Sequence, residues 1–199
     1  MAEQPADTFG HWLVRADRLL TPLENSLNFI GGALVFGLMV LGVVQIVLRT
    51  VFRAPIFGYI DIVEFSMVGF AILGISYVQR LGGHVRMEVL VGSMHGRALW
   101  ILEALGSACA IFIIAVIIPY AYRHFERALN FGDSTIDIEL PTWPAKLVVP
   151  VMLSILLART IVQFLGYLRL VANPDAAPVG IPLIKSVSAL AEEEIEVTK

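Results

Sequence analysis

The chain has 199 residues, 57% hydrophobic and only 16% charged, with a net charge of −3 and a mean hydropathy of +0.79. Soluble domains carry about 25% charged residues, so this balance excludes an ordinary soluble domain, and the absence of a basic excess argues against nucleic acid. The single cysteine, Cys109, excludes an internal disulfide, a CxxC redox pair and a cysteine-based zinc site; inside its apolar run it reads as a small core residue.

Residues 1–8 carry Glu3 and Asp7 and no positive charge, and no small-residue cleavage site follows an early apolar run. That pattern is not a cleavable signal peptide. Phe9, Trp12, Leu13, Ala16, Leu19, Leu20 and Leu23 then recur at steps of three and four, with His11, Arg15, Asp17 and Arg18 mostly on the other side. Residues 1–23 are therefore expected to form an amphipathic helix lying in the membrane interface, with a soluble helix packed on another protein as the alternative.

Thr21-Pro22-Leu23-Glu24 has an N-cap residue, proline at the first helical position and glutamate at the third, which predicts a new helix start. A membrane domain over residues 24–170 follows, with spans expected at about 26–51, 59–78, 98–122 and 145–170. At 1.5 Å per residue, about 25 residues reach roughly 38 Å, enough to cross a hydrocarbon core of about 30 Å. Pro119 is expected to kink the third span near its end, and a polar loop over 130–140 precedes the fourth. Trp100, Tyr120, Tyr122, Trp143 and Tyr167 sit near the expected helix ends, as in an aromatic belt. Helix-interior glycines (Gly31, Gly32, Gly37, Gly42, Gly69 and Gly74) suit close helix packing. From residue 171 to 199, Pro174, Pro178, Gly180 and Pro182 make a linker that ends in the acidic run Glu192-Glu193-Glu194. The predicted fold is an all-α integral membrane protein of four transmembrane helices preceded by an interfacial helix.

Four spans place both termini on one side of the bilayer. That side carries Arg15, Arg18, Arg80, Arg86, Arg97, Arg169, Lys185 and Lys199, against Arg49, Arg53, Arg123, Arg127 and Lys146 on the other. Positive residues concentrate in the cytoplasm, so both termini are expected there.

Enzymatic chemistry finds no support. His11, His84, His95 and His124 fall outside the spans or at their ends, which removes the ligands a membrane cytochrome needs. HExxH and P-loop motifs are absent. A broken helix within an internal repeat, the usual substrate site of a secondary transporter, is not visible either. The informative residues are charges in or beside the spans. Arg49 ends the first span, Asp61 and Glu64 open the second, and Arg49 and Glu64 are placed to pair across the turn at 53–58. Glu103 lies just inside the third span. Arg159 lies deeper in the fourth, too deep to be a natural partner for Glu103, which leaves a group on another subunit or a pair within the bundle.

Arg49-Thr50-Val51-Phe52-Arg53-Ala54-Pro55, then Glu64, then Gly83-His84-Val85-Arg86-Met87-Glu88 resembles the small membrane subunit (DctQ type) of tripartite ATP-independent periplasmic (TRAP) transporters. The family's pattern is an arginine and an aromatic residue before a proline, a glutamate opening the second span, and a G-H-hydrophobic-x-hydrophobic-acidic signature. Leu140-Pro141-Thr142-Trp143-Pro144-Ala145-Lys146 and Arg159 also fit, so the likeness covers about residues 10–170 and is carried by Phe52, Pro55, Gly83, His84, Glu88, Pro141, Trp143 and Pro144. Glu88 stands where aspartate is commoner, which keeps the charge.

The resemblance implies a non-catalytic scaffold in a bacterial inner membrane. It would hold a large elevator-type subunit that carries the substrate and sodium sites, with an organic acid delivered by a periplasmic solute-binding protein. No cofactor is implied for this chain. Two other readings remain: a self-contained ion-coupled transporter using Glu64, and a four-helix membrane redox subunit.

Overall fold

The structure, a computed structural model, describes residues 8–82, 97–173 and 180–181. The described residues form helices joined by short connections: α1 (Thr8–Val47), a π-helical turn (Leu48–Phe52), α2 (Tyr59–Leu73), α3 (Ile75–Leu81), α4 (Arg97–Phe131) and α5 (Trp143–Ala172). No strand occurs among them; an isolated antiparallel bridge joins Ser134 and Pro141. Four segments are long and apolar enough to cross a membrane: Gly10–Phe52, Tyr59–Leu81, Arg97–Phe131 and Trp143–Ala172. In lipid every backbone N–H and C=O needs a partner within the segment, and long helices meet that demand.

The expected break at Thr21-Pro22 does not occur. Pro22 lies inside α1, and the segment foreseen as a separate interfacial helix is the first part of one 40-residue helix. Proline removes a single backbone hydrogen bond, whereas ending the helix there would expose several. Glu24, expected as a capping residue, is buried, and its Oε1 accepts a hydrogen bond from Ser76 Oγ of α3 at 2.7 Å. A tertiary bond has taken the place of the local one. Pro119 likewise lies within α4, which continues to Phe131, well past the expected end near 122.

The turn between α1 and α2 follows from its residues. The π-helical turn closes on Arg53, whose φ is 53°, and the N–H groups of Arg53 and Ala54 both donate to Leu48 O. Ile56 N–H then donates to the Gln45 side-chain oxygen at 2.7 Å. Gly58, with φ 73°, caps α2, and a β-carbon there would collide with the Ile138 side chain. Both its conformation and its surroundings demand glycine.

The chain divides into two compact units. One contains Met1–Leu19, Val78–Ile111 and Arg159–Lys199; the other contains Leu20–Tyr77 and Phe112–Ala158. In the first unit the buried side chains include Leu13, Ala104, Val162, Tyr167 and Leu170. Trp100 stacks on Tyr167 with ring centroids 6.3 Å apart. In the second unit Leu73, Ala128, Ala145, Met152 and Leu156 are buried. A β-carbon on Gly31 would touch Leu73 at 3.4 Å, and one on Gly69 would touch Leu34 at 3.5 Å, so these glycines permit close approach of α1 and α2. A β-carbon on Gly32 or Gly37 would meet nothing within 4 Å among the described residues. Cys109, expected in the core, is exposed on α4.

Candidate functional site

The charges singled out in the sequence separate into those satisfied within the chain and those left at its surface. Asp61 opens α2 and is buried. Its Oδ2 accepts the backbone N–H groups of Asp137 at 3.0 Å and Ile138 at 2.8 Å. A carboxylate holding two backbone donors is a strong clamp, and here it fixes the connection between α4 and α5 to the start of α2.

That connection is ordered throughout. Gly132, with φ 69°, ends α4, and Thr135 N–H donates to Leu140 O at 2.9 Å. Leu140 N–H returns a bond to Thr135 Oγ1 at 2.9 Å, and Thr142 donates to Asp133 O through its N–H at 2.9 Å and its hydroxyl at 3.1 Å. Lys146 Nζ sits 2.7 Å from Asp133 Oδ2. The Lys146 hydrogen bond holds the Asp133 carboxyl below its ordinary range against the opposing effect of desolvation, with added attraction from Lys146, Arg127 and His124. Pro141 and Trp143 form the entry to α5, with Pro144 in its first turn, where proline costs nothing because that N–H has no helical partner. Trp143 packs at a tilt on Phe125, 6.5 Å between centroids.

Arg159 is 2% exposed and pairs with Asp17 of α1 at 2.5 Å. The alternative of a partner on another subunit is not needed to satisfy its charge. Around it lies a polar cluster that the sequence reading missed. Gln163 Oε1 accepts from Gln79 Nε2 at 2.7 Å, Gln163 Nε2 donates to Gln79 O at 3.1 Å, and Thr160 is buried alongside. A signal was present: Arg159, Thr160 and Gln163 stand at positions i, i+1 and i+4, one polar face on an otherwise apolar helix. In a span, such residues face protein rather than lipid.

Glu103 is half-buried on α4. Arg49 and Glu64 are both exposed, and among the described residues neither makes an ion pair, so the expected Arg49–Glu64 pair does not form. Phe52 is exposed at 66%, in the π-helical turn, and Pro55 shapes the turn that follows. Gly83, His84 and Glu88 lie outside the described residues.

The site is thus an arrangement of contacts within the bundle and at its surface. A buried pair and a glutamine couple tie α1, α3 and α5 in one unit, a carboxylate clamp orders a loop in the other, and Glu64 is left on an apolar helix. Neither curated proteins nor solved structures provide a match. A family model described as "Tripartite ATP-independent periplasmic transporters, DctQ component" matches residues 38–170. That match takes in the π-helical turn, Glu64, the clamped loop and the polar face of α5, and the chain belongs to the DctQ family of TRAP transporter small membrane subunits.

Proposed function

We propose that this chain is the fixed, non-catalytic subunit of a sodium-coupled organic-acid transporter, and that it anchors a large elevator-type subunit in the bacterial inner membrane. The observation that carries the reading is the contrast between Asp61 and Glu64. Asp61 is buried and engaged by two backbone donors, whereas Glu64, one turn further along α2, is exposed with no ion pair among the described residues. A charged side chain within a spanning helix is costly unless it reaches water or a partner. A basic or hydrogen-donating group on the large subunit would remove that cost, which makes Glu64 the residue to bet on for assembly.

The rest of the reading follows from membership of the family. Substrate and sodium belong on the large subunit, and a periplasmic binding protein delivers the acid. The excess of arginine and lysine around residues 15–18, 80–97 and 169–199 supports cytoplasmic termini. The clamped loop over 132–142 would then face the periplasm and offer the binding protein a rigid edge.

Replacement of Glu64 by Gln and by Lys tests the anchor. Lys should abolish copurification of the large subunit, Gln should weaken it, and transport by the assembled remainder should keep its sodium dependence. If both variants copurified normally but sodium coupling vanished with Gln, Glu64 would be a coupling carboxylate and not the anchor.

A further inference from the structure

Two cavities lie in succession along α1 and α2, both within one compact unit. The first, about 440 Å³, is apolar except for Ser66; the second, about 420 Å³, is lined by Gln45, Arg49, Tyr59 and Asp137 among others. Phe29, Ala33, Gly37, Leu41 and Gln45, at four-residue spacing on α1, wall the two together with Arg49 of the π-helical turn. Tyr59, Ile62 and Ser66 continue the opposite wall on α2 at steps of three and four. Rows of this kind form the ridges and grooves of a helix surface. From Phe29 to Leu41 the groove runs roughly 18 Å at 1.5 Å per residue, close to half of a hydrocarbon core of about 30 Å. It is apolar at one end and rich in hydrogen-bonding groups at the other.

The polar end carries both signs of charge. The Arg49 guanidinium is exposed and makes no ion pair among the described residues. Gln45 has committed its oxygen to Ile56 N–H, which leaves its amide N–H groups as donors beside Arg49. Asp137 is exposed at the same cavity, and its backbone is pinned by Asp61. A guanidinium with an amide donor suits a phosphate, and the carboxylate suits an ammonium. A free phosphate would need no apolar groove below it.

We propose that the α1–α2 seam binds one zwitterionic aminophospholipid, with its phosphate on Arg49 and Gln45, its primary ammonium at Asp137, and one acyl chain in the groove over Gly37. The lipid fills a gap between two helices of this chain and sets the surface that they present. Gly37 supplies the means of testing it, because a β-carbon there meets nothing within 4 Å and a longer side chain would enter the groove. Gly32 is equally open and does not line the groove, so it serves as the control.

The full chain, extracted in mild detergent, would be titrated with phosphatidylethanolamine, phosphatidylglycerol and inorganic phosphate and followed by native mass spectrometry. Wild type and Gly32→Leu should retain one phosphatidylethanolamine, favoured at least fivefold over phosphatidylglycerol. Gly37→Leu and Arg49→Gln should each weaken retention tenfold or more at unchanged thermal stability, and Asp137→Asn should erase the preference for ethanolamine. Equal retention across all variants, or an equal loss in Gly32→Leu and Gly37→Leu, would overturn the proposal in favour of a non-specific lipid annulus. Phosphate binding that depends on Arg49 but not on Gly37 would overturn it in favour of a free anion. A lipid-free assembly in which cysteine at position 37 crosslinks to the large subunit would overturn it in favour of a protein occupant.

Discussion

Helices α1 and α5 are both apolar enough to span a membrane, yet they serve different solvents: little of the apolar stretch of α1 is buried, and much more of that of α5. Phe29, Phe36, Met39 and Ile46 of α1 are exposed, while α5 buries Met152, Leu156, Tyr167 and Leu170 together with Arg159, Thr160 and Gln163. In a bilayer, apolar side chains have no hydrophobic reason to leave the lipid, so burial follows small and polar residues rather than greasy ones. The polar face of α5 marks the packed side, and the exposed apolar surface of α1 from Phe29 to Ile46 marks a stretch left for lipid or for a partner subunit.

The comparison can be broken most forcefully at the buried pair. Asp17→Ala removes the half-buried carboxylate that faces the buried Arg159 guanidinium and should give the largest loss of stability. Reversible unfolding in detergent should show this loss, and adding Arg159→Met should recover much of it. Matched truncations sharpen the same contrast. Leu156→Ala in α5 should cost about 2–5 kcal/mol through a cavity, whereas Phe36→Ala on the exposed side of α1 should stay within about 0.5 kcal/mol. Equal effects would mean that α1 is packed as tightly as α5.

Gly58→Ala should cost about 1–3 kcal/mol, because the residue would sit at φ 73° and press on Ile138. The expected symptom is faster hydrogen exchange at the amides of Asp137 and Ile138. Gln163→Ala should lose about 0.6–1.7 kcal/mol, the range for polar contacts between membrane helices. The smallest effect concerns pH. Asp133 has its folded-state pKa lowered, chiefly by the Lys146 hydrogen bond, so its contribution to loop order is present above the ordinary carboxylate range. That contribution is lost as pH falls through the lowered value. Protection in the 132–142 loop, corrected for intrinsic exchange rates, should fall under acid in the wild type and depend less on pH in Asp133→Asn.

The spans were legible because hydrophobic runs of this length have one explanation, and Arg49, Asp61, Glu64 and Arg159 stood out because charge in such runs is rare. The misreadings share a cause. Thr21-Pro22-Leu23-Glu24 satisfies every local rule for a helix start, but the helix runs on through Pro22, and Glu24 found Ser76 more than 50 residues away. Arg49 and Glu64 are close in sequence across a turn, yet the π-helical turn and the left-handed Arg53 leave both exposed. Partner choice between helices depends on rotation about their axes, which spacing alone leaves open. The Asp61 clamp was out of reach for a related reason: its partners are backbone N–H groups, and those carry no residue signature.

The most direct test of the scaffold reading is to tag the chain, solubilise membranes mildly and identify what copurifies. A stoichiometric, much larger multi-span permease that is lost in Glu64→Lys is the predicted result. A lone chain or a homo-oligomer that binds and moves an organic acid by itself would contradict it.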